Sequence, residues 1–235
     1  MTTTNQLTFT RYLYERHQVE FSLQGALLEK CREEALYWAY ELYHSGFQNE
    51  VWEWVLNLYV EFYEEYNPKL KAILDKYYTE WKETNNPLLI GTIVGTLVIK
   101  KSRPENSDTD KKFIVIYRED RHQTLEIQEI ARNYLKQVTQ YPIRQEAKDL
   151  AKIVCNISPE MVREAYLGEN WLYYCSGSPV WKSRIREGRG VVDDLGKRVV
   201  FSSDDDLEAF YERWGLEPDE QCAEMHKWHG VDFDV

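Results

Sequence analysis

Residues 34–46, Glu34-Ala-Leu-Tyr-Trp-Ala-Tyr-Glu-Leu-Tyr-His-Ser-Gly46, constrain this chain most strongly. They set four aromatic side chains on one helical stretch and end in a glycine, which readily takes the left-handed conformation that stops a helix. Upstream and within it, Leu27, Cys31, Ala35, Trp38 and Leu42 recur at steps of three and four, the period of a buried helical stripe. Leu28, Leu36, Ala39 and Tyr43 form a second stripe beside the first. The spacing therefore predicts one helix over 22–45, buried on more than one face, with Trp38 in the core. Tyr37 and Tyr40 point away from the main stripe and are expected to face a partner.

The same period continues downstream. Trp52, Val55, Tyr59, Phe62 and Tyr66 predict a helix over about 50–66, and Leu70, Ile73, Leu74, Tyr77, Tyr78 and Trp81 a third that ends before Asn85-Asn86-Pro87. Asn67-Pro68 reads as N-cap and first helical residue of that third helix. Such short connections make neighbouring helices antiparallel. Residues 88–99 are rich in β-branched side chains, which favours a strand. The positions of Ile90, Ile93, Val94, Leu97 and Val98 favour a helix instead, and helix is the reading taken. Gly91 and Gly95 would then lie one turn apart, where another backbone could approach.

Residues 100–112 hold no apolar side chain and read as a linker. Two subdomains are expected around it: an aromatic-rich helical one over 1–103, and a mostly helical one over 104–235. Short strands are expected near 113–117 and 191–201, the second as a hairpin, with a helix over about 123–139. Ser158-Pro159-Glu160 opens a short helix. Ser203 and the acids Asp204, Asp205 and Asp206 cap another, whose buried face is Leu207, Phe210 and Trp214. A last helix begins near Glu217. The fold class expected is mainly α.

Composition narrows function by exclusion. The chain of 235 residues is long enough to bury a core without staples, and its four cysteines form no close pair. No run reaches the roughly 20 apolar residues that span a bilayer, and the N-terminus does not read as a secretory signal. A cytoplasmic compartment is expected, with the nucleus as the alternative and no membrane partner. The formal charge of −11 disfavours sequence-independent binding of duplex nucleic acid. With 17 Tyr and 8 Trp, the chain is well supplied with side chains that fill both cores and protein interfaces.

Catalytic patterns are missing: no GxSxG elbow, no glycine-rich phosphate loop and no HExxH. No catalytic residue and no cofactor is expected. Cys222, His226 and His229 share one helical face and include suitable zinc ligands, with Asp232 or Cys175 as a fourth. A structural zinc site, however, usually draws two close pairs from two segments. The acids 204–206 lack calcium-loop spacing, so capping is their reading. Local positive charge is confined to Trp181–Gly190, where Lys182, Arg184, Arg186 and Arg189 could meet phosphate, an acidic partner or the chain's own acids.

Three segments, 34–47, 170–181 and 210–221, resemble uncharacterised proteins of nucleocytoplasmic large DNA viruses, the giant and algal viruses. That resemblance implies a viral protein of infected-cell cytoplasm or virion, and it carries no catalytic residues. The pattern Ala35-Leu-Tyr-Trp-x-x-x-Leu-x-x-x-Gly46 is also similar to the helical collar of clamp-loader-like replication proteins. Without a Walker motif, this second likeness implies at most a collar-like accessory subunit. The expected function is a non-catalytic protein-interaction or structural and assembly subunit whose partner is another protein. The alternative is a replication- or transcription-associated factor that binds nucleic acid.

Overall fold

The computed structural model describes residues 6–102 and 141–214, together with Ala223 and His226. Among these residues the fold is mainly helical, with one two-stranded antiparallel sheet. The expected strand at 113–117, the helix over 123–139 and most of the last helix lie outside the described residues.

Helix α1 (Arg16–Leu28) occupies the centre and contacts α2 (Arg32–His44), α3 (Gln48–Leu58), α5 (Leu88–Ile99) and α6 (Gln145–Cys155). Every residue from Gln18 to Leu27 is buried. That burial explains why the helix begins before the expected residue 22. Gln18, Glu20, Ser22 and Gln24 break the apolar period yet lie inside, because neighbours surround the helix on all sides. Glu15 starts α1 by accepting the Gln18 amide at 2.9 Å.

The single helix expected over 22–45 is two helices. Lys30 takes a left-handed φ of 62°, and the Cys31 amide turns back to the Ala26 carbonyl at 2.8 Å. No glycine, asparagine or proline marks this break, so local sequence carries no stop signal there. The apolar stripe nevertheless survives the reversal: Leu27 lies in the last turn of α1, while Ala35, Trp38 and Leu42 line α2, all four buried. The chain reversal itself brings the two parts of the stripe into one core.

Helix α3 runs into a π-helical stretch, Tyr59–Tyr63, in which the Glu64 amide reaches the Tyr59 carbonyl at 2.9 Å. Helix α4 (Leu70–Thr84) begins later than Asn67-Pro68 suggested. Asn67 is not its N-cap; its carboxamide donates instead to the carbonyls of Tyr63 at 3.1 Å and Lys101 at 2.7 Å. Asn85, left-handed at φ 52°, ends α4 as expected. Residues 88–99 are helical. The group that approaches Gly91 is the Tyr40 hydroxyl, not a backbone, and it donates to the Pro87 carbonyl at 3.2 Å.

Helix α7 (Pro159–Leu167) carries the expected serine cap from Ser158. Helices α8 (Trp171–Cys175) and α9 (Pro179–Glu187) follow, then strands β1 (Gly190–Asp193) and β2 (Arg198–Phe201) and helix α10 (Asp204–Trp214). The hairpin pairs Gly190 with Phe201 and Asp193 with Arg198. One hydrophobic core runs from Leu7 to Phe210, so the described parts of the two expected subdomains share it.

A buried hook at the N-terminus ties these parts together. Residues 9–15 fold back through an isolated Phe9–Glu15 bridge, with Leu13 left-handed at φ 65°. Phe9 donates its amide to the Tyr174 carbonyl, the Thr10 carbonyl accepts Trp181 Nε1 at 2.9 Å, and the Tyr14 hydroxyl donates to the Tyr141 carbonyl at 2.7 Å.

Gly46 is the point where α2 meets α9. Its φ is +97°, and a β-carbon there would strike the Pro179 ring. Gly46→Ala therefore combines an unfavourable backbone conformation with overpacking. It is expected to destabilise by about 1–3 kcal/mol, read as a lower urea midpoint at unchanged slope.

Candidate functional site

The seam between the hook, the C-terminal half of α2 and the start of α9 gathers a buried polar cluster. Its centre is Glu41, a fully buried carboxylate. One oxygen accepts Arg11 Nε at 2.8 Å and the other accepts the Tyr12 amide at 3.0 Å. The Ser45 hydroxyl donates to the Glu41 carbonyl at 2.6 Å and accepts the Arg11 amide at 2.8 Å. Burial alone would disfavour charge on Arg11, but the adjacent Glu41 carboxylate outweighs it and holds the guanidinium above its ordinary pKa. The sequence pattern did not single out Glu41 or Arg11, because a buried ion pair between segments 30 residues apart leaves no periodic trace.

Tyr37 and Tyr40, expected to face a partner, are instead buried at 7% and 6% exposure. The Tyr37 ring packs edge-on against Trp38 at 4.9 Å and lies 5.2 Å from Tyr141; its hydroxyl meets that of Tyr14 at 3.2 Å. Tyr40 is covered by α5 and stacks on His44 at 5.7 Å. The expectation fails for a simple reason: α2 is contacted by α1, α3 and α5, so an off-stripe face is still an inner face. These tyrosines act in packing. Burial, reinforced by Tyr14 and Glu41, raises the Tyr37 phenol well above its usual pKa, so it stays neutral.

His44 belongs to the same seam. The C-terminal dipole of α2 would favour an imidazolium. Burial and then the nearby Arg11 cation oppose it, and the pKa falls from 6.5 to about 4. The unfolded chain gains a proton near 6.5 while the folded chain stays neutral until about 4. Stability linked to His44 is thus present above 6.5 and lost as pH falls toward 4. His44→Phe keeps the ring contacts and removes the proton site. Its melting temperature should drop less between pH 7.5 and pH 5 than that of the parent protein.

The expected basic patch does not form as a single surface. Arg184 is 8% exposed, with its guanidinium 4.6 Å from the Trp181 ring centre and 4.7 Å from that of Trp214. Burial and the neighbouring Arg11 lower its pKa to about 10. Arg184 is therefore a packing element that holds α10 against α9. Arg189 is exposed and contacts Asp206 at 3.4 Å. Only Lys182 and Arg186 remain exposed on α9 without an ion pair among the described residues. The Asp204–Asp206 acids occupy the first turn of α10, where the Asp206 amide is capped by the Ser203 hydroxyl at 3.2 Å.

Of the candidate zinc ligands, Cys222 and His229 lie outside the described residues. His226 is buried and edge-on to Tyr166 at 6.3 Å, and Cys175 is buried in the core. Among the described residues, no group of three or more His, Cys, Asp and Glu side chains is placed to hold a metal ion. No described helix is long and apolar enough to cross a membrane.

The exposed feature that sequence reasoning located but did not weigh is the outer face of the hairpin. Val191 and Val200 are direct register partners, 67% and 45% exposed, and Leu195 at the turn is fully exposed. The inner face packs Phe201 against Phe210 at 5.1 Å. The alternation of β1 and β2 gave the signal: with one valine face needed inside, the other valines must face out. No family model matches this chain, and no curated protein or solved structure matches it either.

Proposed function

We propose that this protein is a non-catalytic interaction or assembly subunit that binds another protein. The observation that carries the reading is the outer face of the β1–β2 hairpin, where exposed Val191 and Val200 pair beside the Asp193–Arg198 ion pair. Exposed apolar patches and short strand edges are the usual means of protein docking. The resemblance of segments 34–47, 170–181 and 210–221 to uncharacterised proteins of large DNA viruses implies a viral protein of infected-cell cytoplasm or virion, and no role beyond that.

The nucleic-acid reading has a narrower basis, since Arg184 is buried and Arg189 is paired with an acid, leaving Lys182 and Arg186 to contact phosphate. Two measurements separate the readings. Filter binding to single- and double-stranded DNA over a salt series is expected to give no specific retention. Salt-dependent retention lost in a Lys182→Ala/Arg186→Ala/Arg189→Ala variant would favour nucleic acid. Affinity capture from the native context is expected to recover a protein that is lost with Val191→Asp/Val200→Asp.

A further inference from the structure

Where the hook closes onto α1, two buried carboxylates face one permanent cation among the described residues. Glu15 ends the hook and caps α1; its side chain is fully buried, and that of Glu20 is 8% exposed. Arg16 serves Glu20, donating to it through Nε at 2.9 Å while its guanidinium covers the Phe47 ring at 4.9 Å. Glu15 is left to the Gln18 amide on one oxygen, at 2.9 Å, and to His17 Nδ1 on the other, at 3.0 Å. A carboxylate only accepts, so Nδ1 donates to it whether or not the ring is charged. Loss of the second ring proton therefore keeps the hydrogen bond and removes the charge. With His17 protonated the four charges of the cluster balance; with His17 neutral, one negative charge stays buried without a match, which is costly.

The cluster sits where the hook is tied down. The Arg16 amide donates to the Thr8 carbonyl at 2.9 Å, and Phe9 bridges Glu15. We propose that His17 is a proton-dependent latch: its imidazolium holds the hook closed on α1, and loss of the proton loosens the hook. The surrounding elements leave that proton in control. From α2, Glu41 is already matched by Arg11, and His44 is neutral above about 4. Helix α5 carries no titratable side chain. From α6, Cys155 acts on both carboxylates, but burial pushes its thiol up to about 11 and keeps it uncharged. From α3, the Trp54 indole donates to the Glu20 carbonyl at 2.8 Å and does not titrate. Burial disfavours the imidazolium, yet the Glu15 hydrogen bond and the charges of Glu15 and Glu20 outweigh it, and the His17 pKa is raised above 6.5. Its contribution is therefore complete below 6.5 and lost as pH rises through the folded value. Burial raises Glu20 above 4.5, which acts in the same sense, whereas His44 acts in the opposite one.

Amide hydrogen exchange, read by NMR as protection relative to the unfolded chain, tests this together with the titration of the His17 ring. The Thr10 and Arg16 amides are both bonded within the hook, and their protection should fall as pH is raised from 6 to 9. Linkage sets the size of the fall: tenfold for each unit by which the ring titrates above 6.5. His17→Asn keeps a donor toward Glu15 without a titrating ring, and its hook protection should be flat over that range. Glu20→Gln removes one negative charge, so the His17 titration should move toward 6.5 and the fall should shrink with it. The latch is overturned by a His17 ring that titrates at or below 6.5, or by hook protection that ignores pH in the parent chain. A fall that persists in His17→Asn overturns it too, and the ring titration decides even where a variant fails to fold.

Discussion

Trp38→Ala is expected to lower stability by about 3–5 kcal/mol, through lost burial and the cavity left behind. That is a large share of the roughly 5–15 kcal/mol that holds a typical domain folded. The side chain is fully buried, its ring packs edge-on to Tyr14 at 5.1 Å, and its indole nitrogen donates to Glu34 at 3.1 Å. Glu34 in turn holds Arg144, whose guanidinium donates to it at 2.7 and 2.6 Å and to Glu29 at 2.6 Å. The loss should therefore loosen the seat of α6 as well as α2. Chemical denaturation followed by circular dichroism measures the effect, and an unchanged midpoint would place Trp38 outside the core. Tyr37→Ala should destabilise too, because Tyr37 is buried beside Trp38 and presents no docking face.

Glu41→Ala should be as damaging by a different mechanism. It takes the Glu41 carboxylate from the half-buried Arg11 guanidinium and leaves the Tyr12 amide without that acceptor. Breaking a fully buried ion pair from one side typically costs about 3–5 kcal/mol, mostly the penalty of the charge left behind, and the partial exposure of Arg11 sets the expected loss at the lower end of that range. The double replacement Arg11→Met/Glu41→Met removes both charges, and should be much less destabilised than Glu41→Ala. A double-variant cycle in urea separates the two terms. If the double variant is as unstable as Glu41→Ala, the cost lies in the Tyr12 amide left without the Glu41 carboxylate, and not in the ion pair.

Several elements were legible in the sequence because their cause is local. The serine caps at 158 and 203, the left-handed stop at Asn85 and the hairpin alternation depend on residues within a few positions of one another. The period of three and four placed Trp38, Trp52, Val55, Leu74 and Trp81 on apolar stripes, and all are buried. Ile73 on the same stripe of α4, however, is 46% exposed, and of the face expected on α10, Phe210 is buried while Leu207 and Trp214 are half-buried. Residues 88–99 resolved to helix over strand because helices supply their neighbours; no strand among the described residues lies beside them.

Other features depended on contacts made at a distance. Sequence alone determined the mainly helical class, the core identity of the apolar stripe and the hairpin. Only the tertiary structure decided that the stripe is split at Lys30, that α1 buries its polar residues, and that Tyr37, Tyr40 and Arg184 turn inward. The physical reason is the same in each case. Backbone conformation and periodicity are set by near neighbours, whereas the exposure of an aromatic ring or a guanidinium depends on which distant helix packs over it.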